Sequence, residues 1–237
     1  MNLADTLPAA LASAEPAQPR LTYYDDGADE RTELSGATLG NWVAKTANLI
    51  VDDAGLGTGD RATVGLPPHW QTAAVLIACW SAGLAVHLGP APADVAFVHA
   101  DAAGEQWQAA DRYALNLHPL ALPLRNPPGG FLDFNTEVRA HGDFFTPVTP
   151  PAPDDAALHE PGRTWTHREL LAAARDRAAE LGIHGGRVLV DADALADPRD
   201  WLLAPLVAGA SVVLCRNLNP ARVQRRIGTE RVTLVLP

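Results

Sequence analysis

Apolar positions along the chain follow two periods. Leu39, Trp42, Val43, Ala47 and Ile50 recur at helical spacing and predict a helix with one buried stripe, capped by Ser35 and ended by Gly55. Before it, RLTYYDDGADERTELS places Tyr-rich and Thr-rich arms around Asp-Asp-Gly, which predicts a β-hairpin. After it, RATVGL predicts a short strand. HWQTAAVLIACWSAG is apolar on most sides and predicts a buried helix closed by Gly83, and LAVHL is the next strand. Strand, helix, strand is the unit that builds parallel sheets with right-handed crossovers.

The pattern then loosens. VAFVHA and RYALNL predict strands, HPLALPLRNPPGG a loop and FLDFNTEVRAH a short helix. TPVTPPAPDD is an extended, proline-rich connection, and the residues that follow it are read as a loop. The helical period returns at Thr166. Thr166 and Glu169 form a capping box, Leu170, Leu171, Ala174, Ala178 and Leu181 make the stripe, and Gly182 closes it. RVLVDAD, ASVVLC and RVTLVLP predict strands and DWLLAPLVAG a helix, while Asn219 and Pro220 start another helix. The two halves echo each other: RTELSGATLGNWVAKTANLI against RTWTHRELLAAARDRAAELGI, GDRATVGL against GGRVLVDA, LIACWSAGLAVHL against LLAPLVAGASVVL. The expected fold is therefore α/β, with two pseudo-symmetric βαβ-type lobes and largely parallel sheets. Its expected divisions are a lead-in over 1–20, a first lobe over 21–145, a linker over 146–155 and a second lobe over 156–237.

Composition narrows the functions. With 47% apolar residues in 237, the chain can bury a sizeable core. A net charge of −10 argues against nucleic acid and anionic membrane surfaces, both of which call for a basic face. The first twenty residues lack a basic, then apolar, leader, and no apolar run is long enough to span a bilayer, so the expected location is cytoplasmic. Cys79 and Cys215 each lie in an apolar segment and are read as buried thiols. The eight histidines lack metal-ligand spacing, and no metal site is expected. GLGTGDR follows a helix rather than opening one, so it reads as a helix stop and not as a dinucleotide loop. DADALADPRD lacks the Gly and Glu of a calcium loop and reads as a solvated turn. No Gly-x-Ser-x-Gly elbow exists, and Ser81 reads as structural.

ELSGATLGNWVAKTANLI, GLGTGDRATVGLPPHWQTAAVLIACWSAGLAVHLGP and THRELLAAA…WLLAPLVAGASVVL…ERVTLVLP, in that order, resemble the first half of the large N-terminal domain of the adenylate-forming superfamily. Acyl-CoA synthetases, luciferases and peptide-synthetase adenylation domains belong to that group. The resemblance covers roughly residues 20–237 and points to a branch of short bacterial proteins. In the superfamily, a Ser/Thr/Gly-rich loop ending in Pro-Lys-Gly precedes the THREL-type helix and cradles the triphosphate. Here HEPGRTW stands in that place. Gly162 is the one glycine left, serine is absent, Arg163 is the nearest cation to the lysine position, and Glu160 repels phosphate. DADALADPRD replaces the apolar and aromatic substrate motif. The later adenine and ribose motifs, the lid and its catalytic lysine are not met before Pro237, and Lys45, the one lysine, sits on the first helix.

With these departures, the resemblance implies a truncated, catalytically inactive AMP-binding-like protein. It would act in small-molecule binding, in regulation or as a partner subunit, with no catalytic residue and no cofactor of its own. Residual ATP or AMP contact would fall on Gly162, Arg163, Thr166 and His167. His167 reads either as an anion contact at the helix start or as a surface residue of a capped helix. The alternative is an adenylate-forming ligase whose second half and lid come from a partner chain. Whether the partner is a small molecule or a protein stays open.

Overall fold

The computed structural model describes residues 2–236 apart from 13, 14 and 16. The chain divides into two compact units and passes through each more than once. The first comprises Met1–Pro8, Gly40–Pro67 and Gln71–Leu170; the second comprises Ala9–Leu39, Pro68–Trp70 and Leu171–Pro237. Elements are numbered in chain order.

The first unit is built on a seven-stranded sheet. Its order is β7 (Leu132–Asp133), β6 (Asp111–Leu115), β5 (Val95–His99), β3 (Arg61–Gly65), β4 (Ala85–Leu88), β8 (Ala156–Glu160) and β9 (Arg163–Thr166). Every neighbouring pair is parallel except β8 with β9. The crossover between β3 and β4 is α3 (Trp70–Ala82). Its residues from Ala73 to Cys79 are all buried, which is why its sequence shows no polar face. Gly83 ends it at φ +87°, a conformation that favours glycine. The stripe of α2 (Gly36–Asn48) is buried at Leu39, Val43 and Ala47, and Ser35 caps it by accepting from the Thr38 amide at 3.1 Å. A short helix, α4 (Phe134–Glu137), follows β7 and is capped by Asp133.

Two elements were not legible in the sequence. The lead-in contains a helix, α1 (Leu3–Leu11), with Pro8 inside it; Leu3, Leu7 and Leu11 are its buried positions. The proline-rich stretch and the residues just before it form a pinned strap rather than a free linker. Lys45 Nζ donates to the His141 carbonyl and pairs with Asp143 at 3.0 Å. Asn48 Nδ2 donates to the Gly142 and Phe144 carbonyls at 3.0 and 2.9 Å, and the Thr58 hydroxyl to the Thr149 carbonyl at 2.8 Å.

The second unit carries a five-stranded sheet in the order β12 (Leu234–Val235), β10 (Arg187–Asp191), β11 (Ser211–Arg216), β1 (Pro19–Asp25) and β2 (Glu30–Ser35). Only β1 and β2 are antiparallel. A π-helical turn over Arg199–Leu203 leads into α6 (Ala204–Val207), which precedes β11. Then α7 (Pro220–Glu230) follows, capped by Asn219. It lies on the sheet face that presents Tyr24 and Cys215, with Arg226 stacked 4.0 Å from the Tyr24 ring centre and donating to Cys215 Sγ at 3.4 Å.

The fold is thus α/β with two largely parallel sheets, as expected, but the expected divisions at 145 and 155 are corrected. The β1–β2 hairpin, assigned to a first lobe, joins the second unit because β1 pairs with β11, Leu21 opposite Val212. Residues 156–166, assigned to a second lobe, extend the first unit's sheet because β8 pairs with β4, Val86 opposite Leu158. Strand pairing between distant segments set the division, and local composition does not encode it.

Candidate functional site

HEPGRTW, expected from the resemblance to stand in the place of a phosphate loop, is not a loop. It is the tight end of the β8–β9 hairpin: Glu160 pairs with Arg163 and only Pro161 and Gly162 form the turn. Proline before a glycine at φ +76° is what a type II turn requires. The side chains around the turn bind one another. The Arg163 guanidinium lies 3.2 Å from the Trp165 ring centre. Trp165 Nε1 donates to Glu160 Oε2 at 2.7 Å, and His159 Nδ1 lies 2.9 Å from the Thr164 hydroxyl.

The helix that follows, α5 (His167–Glu180), starts with its donors already taken. The His167 amide donates to the Asp155 carbonyl at 3.0 Å and the Arg168 amide to the Pro153 carbonyl at 2.8 Å. The Glu169 amide donates to Thr166 Oγ1 at 3.2 Å, while the Thr166 amide donates back to Glu169 at 2.9 Å. The capping box is formed as its sequence predicts. It holds the Glu169 carboxyl below the usual range, chiefly through the Thr166 amide.

The four residues named from the sequence do not converge. Gly162 and Arg163 are exposed at the turn, and Thr166 is spent on the cap. His167 is fully buried, which corrects its reading as a surface residue. Neither of its ring nitrogens has a hydrogen-bond partner among the described residues. Burial pushes its pKa down to about 4, against the opposing pull of Asp155 and Asp5.

Sequence reasoning missed a second histidine feature. His87 and His159 are register partners on β4 and β8, and their rings stack 4.6 Å apart. Burial lowers both pKa values; the His159 charge adds to it at His87, and the Arg61 charge acts on both. Only the pairing of distant strands could have shown this. In DADALADPRD, Asp197 pairs with Arg199 and Asp200 with Arg177, and the Asn217 amide donates to Asp193. Among the described residues no group of three or more His, Cys, Asp or Glu is placed to hold a metal ion, and no helix is long and apolar enough to cross a membrane. Both cysteines are buried free thiols.

No family model matches the chain. The crystal structure of an acyl-CoA synthetase from Brucella canis superposes with a TM-score of 0.74 at 19% identity, over 99% of this chain and 47% of that one. The likeness is one of fold, and this chain spans about half the length of that synthetase. A protein of Mycobacterium tuberculosis (strain ATCC 25618 / H37Rv) described as "TIGR03089 family protein" is 41% identical over 239 residues, covering 94% of this chain and 93% of that protein. At that identity, sustained over nearly the full alignment, the chain belongs to the TIGR03089 family.

Proposed function

We propose that this chain keeps the framework of an adenylate-forming domain without its chemistry, and that it acts by binding a small molecule or a protein. One observation carries the reading: HEPGRTW, the segment that the resemblance aligns with a phosphate loop, is a closed two-residue turn whose polar groups bind each other. Activating a carboxylate with ATP means that a carboxylate oxygen attacks the α-phosphorus while the bond to pyrophosphate breaks. The negative charge that builds up there needs several oriented donors. Here the first three amides of α5 donate to the Asp155 carbonyl, the Pro153 carbonyl and the Thr166 hydroxyl. Arg163 is stacked on Trp165, and Glu160 adds negative charge beside it. This reading includes the cytoplasmic location and has no nucleotide cofactor. ATP–pyrophosphate exchange by the purified chain, run over a panel of fatty and aromatic acids, should stay at the buffer level. Titration with Mg-ATP should give no binding tighter than about 1 mM, or about 4 kcal/mol. Exchange above background would overturn the reading.

A second reading, a ligase completed by a partner chain, is supported by the edge strand β12. Among the described residues β12 pairs with β10 alone, and Val235 on it is exposed. A monodisperse monomer that co-purifies with no synthetase-like chain counts against it.

A further inference from the structure

In an acidic chain, the second unit gathers arginine around one crevice of about 600 Å³ at the amino ends of β10 and β11. Arg20, Arg31, Arg187 and Arg231 line it, against the carboxylates of Glu33 and Glu230. Both carboxylates are already engaged. Glu230 accepts from the Tyr24 hydroxyl at 2.5 Å, from Arg31 Nε at 3.1 Å and from Arg187 Nη2 at 2.7 Å. Glu33 accepts from Arg31 Nη2 at 2.6 Å and from the Thr22 hydroxyl at 3.1 Å. Four cations against two spent anions leave an excess of two positive charges facing the crevice.

Some of the donor capacity is unused. The Arg187 side chain is only 12% exposed, yet its buried Nε has no hydrogen-bond partner among the described residues. Its Nη1 reaches only the Ser211 hydroxyl, at a long 3.4 Å. Arg231 is held in the left-handed conformation at the end of α7, and its guanidinium has no polar partner among the described residues. A buried guanidinium N–H without an acceptor is unfavourable, and an incoming anion removes that cost. Arginine's planar fork matches the oxygens of a phosphate two at a time. The volume suits a small organic ligand rather than a lone ion. Open α/β sheets hold their ligands at the carboxyl ends of the strands, so a crevice at the amino ends is not accounted for by the fold's usual site.

We propose that this crevice binds a phosphate-bearing small molecule, its dianion held by Arg187 and Arg231. The proposal stands whether or not the chain activates carboxylates, because none of these residues belongs to the β8–β9 hairpin. Calorimetric titration at low salt with inorganic phosphate and with ribose 5-phosphate tests it. Saturable binding below 1 mM is expected for at least one probe. A tighter fit for the monoester assigns the crevice to organic phosphates; affinity no tighter than that of inorganic phosphate assigns it to the free ion. Arg231→Ala, an exposed change, and Arg187→Lys, which keeps charge but loses the fork, should each weaken binding at least fivefold. Arg163→Ala at the hairpin should leave it unchanged. Absence of saturable binding by either probe up to 10 mM overturns the proposal. So does binding that Arg231→Ala leaves intact, and so does binding that depends on Arg163.

Discussion

Replacing His167 by leucine should stabilise this protein, and more so in acid. The imidazole is fully buried and neither nitrogen is hydrogen-bonded. Leaving such a group unsatisfied costs about 1–3 kcal/mol, whereas a leucine of similar size brings only apolar atoms to the site. A gain of about 1 kcal/mol is expected at pH 7.5, which for a chain of this length raises Tm by about 2–4 °C. The pH dependence is the sharper test. His167 has its pKa pushed down from 6.5 to about 4 in the folded state. Below pH 6.5 the unfolded chain takes up the proton and the folded chain does not. The stability linked to this residue is therefore fully present above pH 6.5 and is lost as pH falls towards 4. At pH 5 the loss is about 2 kcal/mol. His87 and His159, whose pKa values are also lowered, act in the same direction but are common to both proteins and cancel in the difference. Urea unfolding of wild type and His167→Leu at pH 7.5, 6.5, 5.5 and 5.0 reads that difference. It should grow steadily below pH 6.5. Parallel profiles would refute the reasoning, because they would mean that the ring is solvated or bonded.

Glu230 should be among the costliest side chains to remove. It accepts from Tyr24, Arg31 and Arg187 in a nearly dry site, so Glu230→Ala strands the Arg187 charge and should cost about 3–5 kcal/mol in urea unfolding. Burial alone would raise its pKa, but the bonds from Tyr24, Arg187 and Arg31 outweigh it and hold the carboxyl low, so its contribution is present above the usual carboxylate range and lost as pH falls below it. The two thiols should be silent in the native protein: burial pushes Cys215 up to about 11 and Cys79 further, so a thiol-specific chromophore should react with neither until denaturant is added.

What the sequence revealed was local. The stripe at Leu39, Val43, Ala47 and Ile50, the capping box at Thr166 and Glu169, and the Asn219-Pro220 start of α7 each depend on neighbours a few residues away, and each stands where its pattern places it. Three things were not local. The helix at Leu3–Leu11 was masked by Pro8, which sits within it. Pro161-Gly162 reads equally well as loop or hairpin turn, and the choice rests on β8 finding β4. The buried state of His167 depends on what packs around the start of α5, which the capping box does not specify. The pairing of Glu230 at the end of α7 depends on Arg187 and Arg31, which arrive from other strands.

The pairing of Leu21 with Val212 also has a consequence in time. A ribosome releases the β1–β2 hairpin first and β11 only after the long stretch of chain between them. At about 5–20 residues per second the hairpin waits about 10–40 s for the strand it must join. Most of the first unit, Gly40–Pro67 and Gln71–Leu170, emerges in that interval. The hairpin therefore spends that interval with β1 lacking its parallel neighbour. A nascent chain arrested before Ser211 should expose that strand to chaperones, and one arrested after Val235 has cleared the tunnel should not.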